Sequence, residues 1–169
     1  MFQDTFDFIH CRNIAQSISA WPQLMAEMYK CTKPGGYVEL AENEVATFCD
    51  DGTMTESNRM KRIMDLITSA MIKLDRPPST AERLVARLTE AGFTDVHCVT
   101  LKQPLGPWPK GKAMKQIGIM ALMTSETGIE AYALAALTRI HGMPVEEAAQ
   151  LCRDALRDMK NKNYHLYVK

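Results

Sequence analysis

Hydrophobic and polar positions in the first part of the chain follow a strand–helix–strand pattern. Residues 6–10 are mostly apolar and predict a short strand buried on both faces. Residues 17–31 show helical spacing of apolar side chains, with Pro22 in the first turn. A Lys-Pro-Gly-Gly turn then leads into an apolar strand at residues 37–41. Because the links are short, these two strands are expected to be parallel neighbours.

The middle of the chain predicts two helices and a third strand. Apolar residues keep helical spacing along one side of residues 56–74. Ser79 and Glu82 form a capping box for the next helix, which Gly92 ends in a left-handed conformation. Residues 93–101 then alternate in a way that favours a strand.

The last third predicts three helices and a final strand. The helices cover residues 112–124, 127–141 and 144–161, and residues 164–168 alternate like a strand. The order β-α-β-α-α-β-α-α-α-β predicts an α/β fold with four short strands.

The domain prediction is a single domain over residues 1–169. Sheet and helices occupy residues 1–50 and 79–106, a mostly helical cap occupies 52–78 and 111–161, and the last strand follows at 164–168. Strands lie close to both ends of the chain, whereas complete domains usually have dispensable ends, so a truncated domain is expected.

Composition excludes several function classes. Lys and Arg number 20 and so do Asp and Glu, which gives no net field favouring nucleic acid or an anionic membrane. No apolar run approaches a membrane span. The five cysteines are scattered and include no C-x-x-C pair, so a zinc site is not supported. Their number and spacing favour a reducing compartment, the cytoplasm or the nucleus. His97, His141 and His165 have no metal-binding side chains at ligand spacing beside them, so no metal site is predicted.

Four segments together carry a family resemblance. They are FDFIHCRN, SAWPQLMAEMYKCTKPGGYVELAENE, AGFTDVHCVTLKQPLGPWPKGKAMKQIG and GIEAYALAALTRIHGMPVEEAAQLCRDALRDMKNKNYHLYV. In order and spacing they resemble fungal S-adenosylmethionine-dependent methyltransferases of the LaeA-like group. The resemblance covers nearly the whole chain.

The resemblance implies part of a Rossmann-like class I methyltransferase sheet of order 3-2-1-4-5-7-6. Residues 6–10 correspond to strand 4, 37–41 to strand 5, 93–101 to strand 6 and 164–168 to strand 7. The resemblance implies S-adenosylmethionine as the cofactor. The family places a glycine-rich turn after strand 1 and an acid after strand 2, and the 169 residues contain neither motif. This chain alone is therefore expected to bind the cofactor weakly or not at all.

Candidate site residues lie at the carboxyl ends of the first two strands, where open α/β sheets bind ligands. The resemblance places His10, Cys11, Arg12 and Asn13 near the sulfonium and the acceptor, which makes His10 and Cys11 a partial cofactor site. His10 could act as a general base, because imidazole titrates near neutral pH. Arg12 could orient a carboxylate or phenolate acceptor, with Asn13 beside it. The alternatives are that His10 only caps its strand and that Arg12 pairs with an acid such as Glu42.

Two further residues are predicted to contact the acceptor. Glu42, after the second strand, is placed at the mouth of the pocket, and its alternative role is a solvated loop carboxylate. Trp108 lies among prolines in a loop and could cover a planar acceptor, or it could simply pack beneath that loop.

Three functions are compatible with these residues. The first is a methyltransferase of fungal secondary metabolism with a small-molecule acceptor, inactive as an isolated chain. The second is a non-catalytic interaction module, because the edge of residues 6–10 lacks a strand 1 and could pair with a second copy or a partner chain. The third is a repurposed enzyme that runs a non-methylating reaction in the acceptor pocket.

Overall fold

A computed structural model describes residues 2–169 and has the predicted α/β character. The chain divides into two compact units. The first unit comprises Met1–Glu44 and Asp75–Thr100, and the second comprises Val45–Leu74 and Leu101–Lys169. Each unit has its own hydrophobic core. The assignment of both units to one domain stays a prediction.

The first unit is built on a β-α-β motif. Strand β1 (Phe6–Arg12) is followed by helix α1 (Trp21–Cys31) and strand β2 (Thr32–Ala41), and helix α3 (Ala81–Glu90) completes the unit. The two strands are parallel neighbours, which confirms that prediction. β2 is longer than expected because it includes the Lys-Pro-Gly-Gly segment, where Gly35 has a φ of 79°.

Helix α1 covers only one face of this small sheet. Trp21, Met25 and Met28 are buried and pack with the strand side chains on that face, including Ile9. The opposite face is open, with Phe8 55% exposed. The prediction that residues 6–10 are buried on both faces is therefore wrong, because within residues 2–169 a helix packs on one face of β1 only.

The second unit is mainly helical. Helices α2 (Arg59–Lys73), α4 (Lys112–Ala135) and α5 (Val145–Lys160) surround one core, and α4 continues into a π-helical turn at Ala136–Ile140. The predicted break near residues 125–126 does not occur, and α4 runs through them. On either side of this point the hydroxyls bond within the helix: Thr124 donates to the carbonyl of Met120 and Thr127 to that of Thr124, each at 3.0 Å. No helix within residues 2–169 combines the length and apolarity needed to cross a bilayer.

The predicted third strand is absent, and the last strand pairs differently from expectation. Residues 93–101 have no strand assignment and pair with no other strand, and Val99 is 80% exposed. Strand β4 (Tyr167–Val168) instead pairs antiparallel with β3 (Gln103–Pro104). The structure thus contains two separate two-stranded sheets within residues 2–169 and not the predicted four-stranded one.

Candidate functional site

The carboxyl ends of β1 and β2 lie side by side. Arg12 is in register with Ala41, and the amide of Asn13 donates to the Ala41 carbonyl at 3.0 Å. The structure therefore brings His10, Cys11, Arg12, Asn13 and Glu42 together in the first unit, as the sequence predicted for the end of a parallel sheet.

Glu42 holds the loop that follows β1. Its carboxylate accepts the backbone amides of Ile14 at 2.9 Å and Ala15 at 3.3 Å. These amides begin a 3-10 turn at Ala15–Ser17, and the first amides of any helix lack partners within it. Glu42 is thus neither a free carboxylate nor a partner of Arg12 here, and its placement at a pocket mouth stays a prediction.

Replacing Glu42 by alanine should destabilise the first unit. Two half-buried amides would lose a charged acceptor, so the free energy of unfolding should fall by about 1–3 kcal/mol. Urea denaturation in a Trp108→Phe background would follow this unit through Trp21, the remaining tryptophan. Glu44→Ala is the matched control, because Glu44 has no hydrogen bond or ion pair to another residue within 2–169. Equal effects of the two changes would contradict the role assigned to Glu42.

Asn13 and Cys11 are fixed by different means. Asn13 has a φ of 54°, a left-handed conformation that asparagine tolerates better than most residues, and its side-chain carbonyl accepts from the Asn43 amide at 3.3 Å. Cys11 is half-buried on the α1 side of the sheet. Burial, with a further contribution from the Glu42 charge, raises the pKa of the Cys11 thiol. The thiol is therefore not primed as a nucleophile.

His10 is paired across the sheet. Its Nδ1 lies 2.6 Å from Oε2 of Glu39, the residue directly opposite on β2. The sequence pattern did not identify this partner, because 29 residues separate the two side chains and only the strand register reveals their contact. The imidazole is thus oriented by a carboxylate, an arrangement used by many histidine bases, and its catalytic role stays a prediction.

Arg12 is exposed at the end of β1. No hydrogen bond or ion pair joins its guanidinium to another described residue, Glu42 included. Within the strand-end group of residues, Arg12 is therefore the one cation available to a ligand or a partner chain.

Trp108 belongs to the second unit and has polar and aromatic contacts there. Its indole N–H donates to the Leu166 carbonyl at 2.8 Å, and its ring lies 5.0 Å from the imidazole of His165. His165 in turn contacts the carboxylate of Asp51. This packing fixes the indole through its own unit, and the predicted role as a lid over an acceptor stays a prediction.

Asp51 is the centre of a polar cluster that the sequence showed only as a turn. Hydrogen bonds from His165, from the Cys49 thiol and from the hydroxyl and amide of Thr53 hold the pKa of the Asp51 carboxyl well below its usual range. The cluster joins the turn to the last residues of the chain, which are 114 positions away.

The pKa of Asp51 predicts acid sensitivity of the second unit. Above about pH 5 the carboxyl is ionised in both the folded and the unfolded chain, so its contribution is fully present. As the pH falls below about 4, the unfolded chain takes up a proton that the folded chain does not, and stability is lost. Asp51→Asn should therefore lose less stability than wild type between pH 7 and pH 3.5 in urea denaturation. Parallel losses in both proteins would contradict this assignment.

Comparison with known proteins identifies the family to which the chain belongs. Residues 2–98 match the family described as "Methyltransferase domain". This match covers more than half of the chain, and the chain therefore belongs to the methyltransferase family. Its curated relatives are fungal, and they confirm the resemblance to the LaeA-like group of secondary metabolism.

Three relatives illustrate the similarity. Methyltransferase pytC of Aspergillus terreus is 32% identical over 160 residues, which are 95% of this chain and 49% of pytC. The probable methyltransferase tdiE of Emericella nidulans is 28% identical, over 96% of this chain and 51% of its own. The secondary metabolism regulator laeA of Aspergillus fumigatus is 28% identical, over 98% of this chain and 44% of its own length. The chain spans about half the length of the curated relatives it matches.

The family implies S-adenosylmethionine as methyl donor, but the strand-end residues do not fit the whole cofactor. Their polar groups are largely occupied: Glu42 by two amides, Asn13 by Asn43 and His10 by Glu39. Neither strand of the pair leads into a glycine-rich turn: β1 is followed by Asn-Ile-Ala-Gln and β2 by Glu-Asn-Glu-Val. A cavity of about 390 Å³ does adjoin β1, but its lining is mainly apolar and includes the last turn of α1. The strand-end residues therefore do not make up a complete donor site by themselves.

Proposed function

We propose that this chain supplies the acceptor side of an S-adenosylmethionine-dependent methyltransferase acting on a small molecule of fungal secondary metabolism. The observation that carries the proposal is the parallel pair β1–β2, whose polar carboxyl ends are tied together by Glu42 within residues that match the methyltransferase family. In this proposal β1 and β2 are strands 4 and 5 of the family sheet.

Methyl transfer depends mainly on alignment and desolvation, because the sulfonium donor is already activated. The groups proposed for alignment are His10, oriented by Glu39, and the unpaired guanidinium of Arg12. A carboxylate acceptor would accept two parallel hydrogen bonds from the guanidinium, and a phenolate acceptor would accept hydrogen bonds at its single oxygen. These groups orient an acceptor, whereas the grip on the donor requires a glycine-rich loop that these 169 residues do not contain.

A binding experiment tests this division of roles. Calorimetry of the isolated chain with S-adenosylhomocysteine, the demethylated product, is expected to show no binding at micromolar concentration. A chimera would join the chain to the part of pytC that it does not cover, so that the chain replaces the matching half of pytC. The chimera is expected to bind. Micromolar binding by the isolated chain, or a folded chimera that does not bind, would contradict the proposal.

A second candidate function is interaction through the free edge of β1. Within the described residues β1 pairs with β2 alone, and its aromatic side chains are exposed along an open groove. Such an edge offers backbone donors and acceptors to a further strand. Hydrogen exchange tests this: the edge amides of β1 should be protected in the purified protein at high concentration. Exchange as fast as in an unpaired loop would exclude pairing of this edge with a second copy of the chain.

A further inference from the structure

Two arginines of α3 bind the segment that precedes this helix. The guanidinium of Arg83 donates to the carbonyl of Pro78 at 2.8 Å. One helical turn later, Arg87 donates to the hydroxyl of Ser79, also at 2.8 Å. Because Pro78 and Ser79 are adjacent in the chain, the two guanidinium groups lie close together, and their like charges repel each other.

Arg87 is fixed between two buried side chains. Its guanidinium carbon lies 3.7 Å from the centroid of the Trp21 ring, and Trp21 is 7% exposed and Ser79 3% exposed. Burial, and next the charge of Arg83, lower the pKa of the Arg87 guanidinium, whereas the charge of Glu42 acts in the opposite direction. Arg87 therefore presents a partly desolvated positive charge in a defined orientation.

A third cation, Arg76, precedes the same segment. Its guanidinium donates to the carbonyl of Gln16 at 3.4 Å, in the 3-10 turn that Glu42 holds through backbone amides. The three arginines of this group, Arg76, Arg83 and Arg87, form no ion pair with an acidic side chain within residues 2–169. Charges that are partly removed from water are normally paired, so the arginine group lacks a counter-charge.

We propose that the arginine group is a binding site for a phosphate dianion, either inorganic phosphate or the phosphate group of a small monoester. Guanidinium groups bind phosphate oxygens through parallel hydrogen bonds. Arg83 and Arg87 each use one of their five N–H donors within residues 2–169, so donors remain for a tetrahedral ligand. Three positive charges favour a dianion over a monocarboxylate, for which a single arginine is enough. The proposal concerns ligand binding and does not depend on methyl transfer.

Trp21 provides a direct readout of this site. In the Trp108→Phe background it is the remaining tryptophan. Inorganic phosphate and glycerol 3-phosphate would be titrated at about pH 7.5, where phosphate groups are mostly dianionic, with the ionic strength kept constant by sodium chloride. Both should give a saturable change in Trp21 fluorescence, because the anion alters the charge that stacks on the ring. Glycerol and sodium acetate, a neutral and a monoanionic control, should give none.

Substitution of the exposed member of the group tests the assignment. Arg83→Gln should weaken the binding of both phosphates by at least about tenfold, because it removes hydrogen bonds to the dianion together with one charge. Arg83→Lys keeps the charge without the planar fork and should restore binding only in part. Arg153→Gln is the matched control, since Arg153 is an exposed arginine of α5 in the second unit, and it should leave binding unchanged.

Calorimetry with the same two phosphates covers binding that leaves the fluorescence unchanged. Tighter binding of glycerol 3-phosphate than of inorganic phosphate would identify a monoester as the ligand, and equal or weaker binding would identify the free ion. The proposal would be overturned by the absence of binding in both measurements, or by acetate that binds as tightly as phosphate. Equal effects of Arg83→Gln and Arg153→Gln would also overturn it, because they would show that only the net charge of the chain matters.

Discussion

Replacing Gly118 by alanine is expected to lower the free energy of unfolding of the second unit by about 3 kcal/mol. A methyl group at this position of α4 would lie 2.0 Å from the carbonyl oxygen of Gly106, far inside van der Waals contact. The amide of Gly106 also donates to the Gly118 carbonyl at 3.2 Å, so the two backbones touch directly. Neither side of the contact offers a flexible side chain that could move away.

The loop at Gly106 cannot retreat either. Its φ is 101°, and a side chain there would meet the Met159 carbonyl of α5 at 2.1 Å. Gly106 therefore lies between two helices, and a methyl group on Gly118 would push the loop into α5. To relieve the clash, the loop at Gly106 would have to move away from α4 or α5, and this movement would disturb the core around both helices.

Gly128→Ala in the same helix is the matched control. Nothing lies within 4 Å of the added methyl group, so the usual preference of helices for alanine should stabilise the protein by about 0.5–1 kcal/mol. Urea denaturation in a Trp21→Phe background would follow the second unit through Trp108 alone. Opposite signs for the two glycines are the expected result, and a neutral Gly118→Ala variant would contradict the close helix contact.

Local sequence signals predicted most helices because caps and apolar spacing act over a few residues. Pro144 precedes α5 as expected, and Gly92 has the left-handed φ that ends α3. The cap of α3 lies one residue later than the predicted Ser79. Thr80 accepts the Arg83 amide at 3.4 Å, whereas the buried hydroxyl of Ser79 accepts from Arg87 at 2.8 Å. Both hydroxyls are of the kind that caps helices, but the Ser79 hydroxyl is bonded to Arg87, eight residues away, and Thr80 is the cap.

The candidate site was predictable to the extent that it depends on strand order. Parallel strands place their carboxyl ends together, so the proximity of Arg12, Asn13 and Glu42 followed from the β-α-β pattern alone. The side-chain contacts of the polar residues did not follow from this pattern. The Glu39–His10 contact depends on strand register, and the Asp51–His165 contact depends on how the chain's last residues return to an early turn. Neither leaves a periodic trace in sequence.

The exposed segment 93–101 was predicted as a strand and does not form one. Its alternation favoured a strand, yet a strand forms only where backbone groups find a neighbour, and alternation says nothing about whether that neighbour is present. Apolar side chains of this segment remain exposed, including Val99. Pairing is a property of the assembled sheet, and it can be judged only when the other strands are known.

Ile63→Ala is expected to destabilise the second unit by about 3–4 kcal/mol. Ile63 is fully buried in α2, at the centre of the core that α2 shares with α4 and α5. Removing three carbon atoms loses their transfer free energy and leaves a cavity between helices that close only partly. Because alanine is a better helix former than isoleucine, the loss arises from packing and not from the helix itself.

Ile72→Ala provides the comparison within the same helix and with the same chemical change. Ile72 is 59% exposed, so its truncation should change the free energy of unfolding by no more than about 0.5 kcal/mol. Both variants would be measured by urea denaturation through Trp108 in the Trp21→Phe background, with the slope of the transition checked for constancy. A large difference between the two isoleucines is expected because burial, and not helix position, sets the cost. Similar effects at both positions would contradict the placement of Ile63 in the core and with it the packing of α2 against α5.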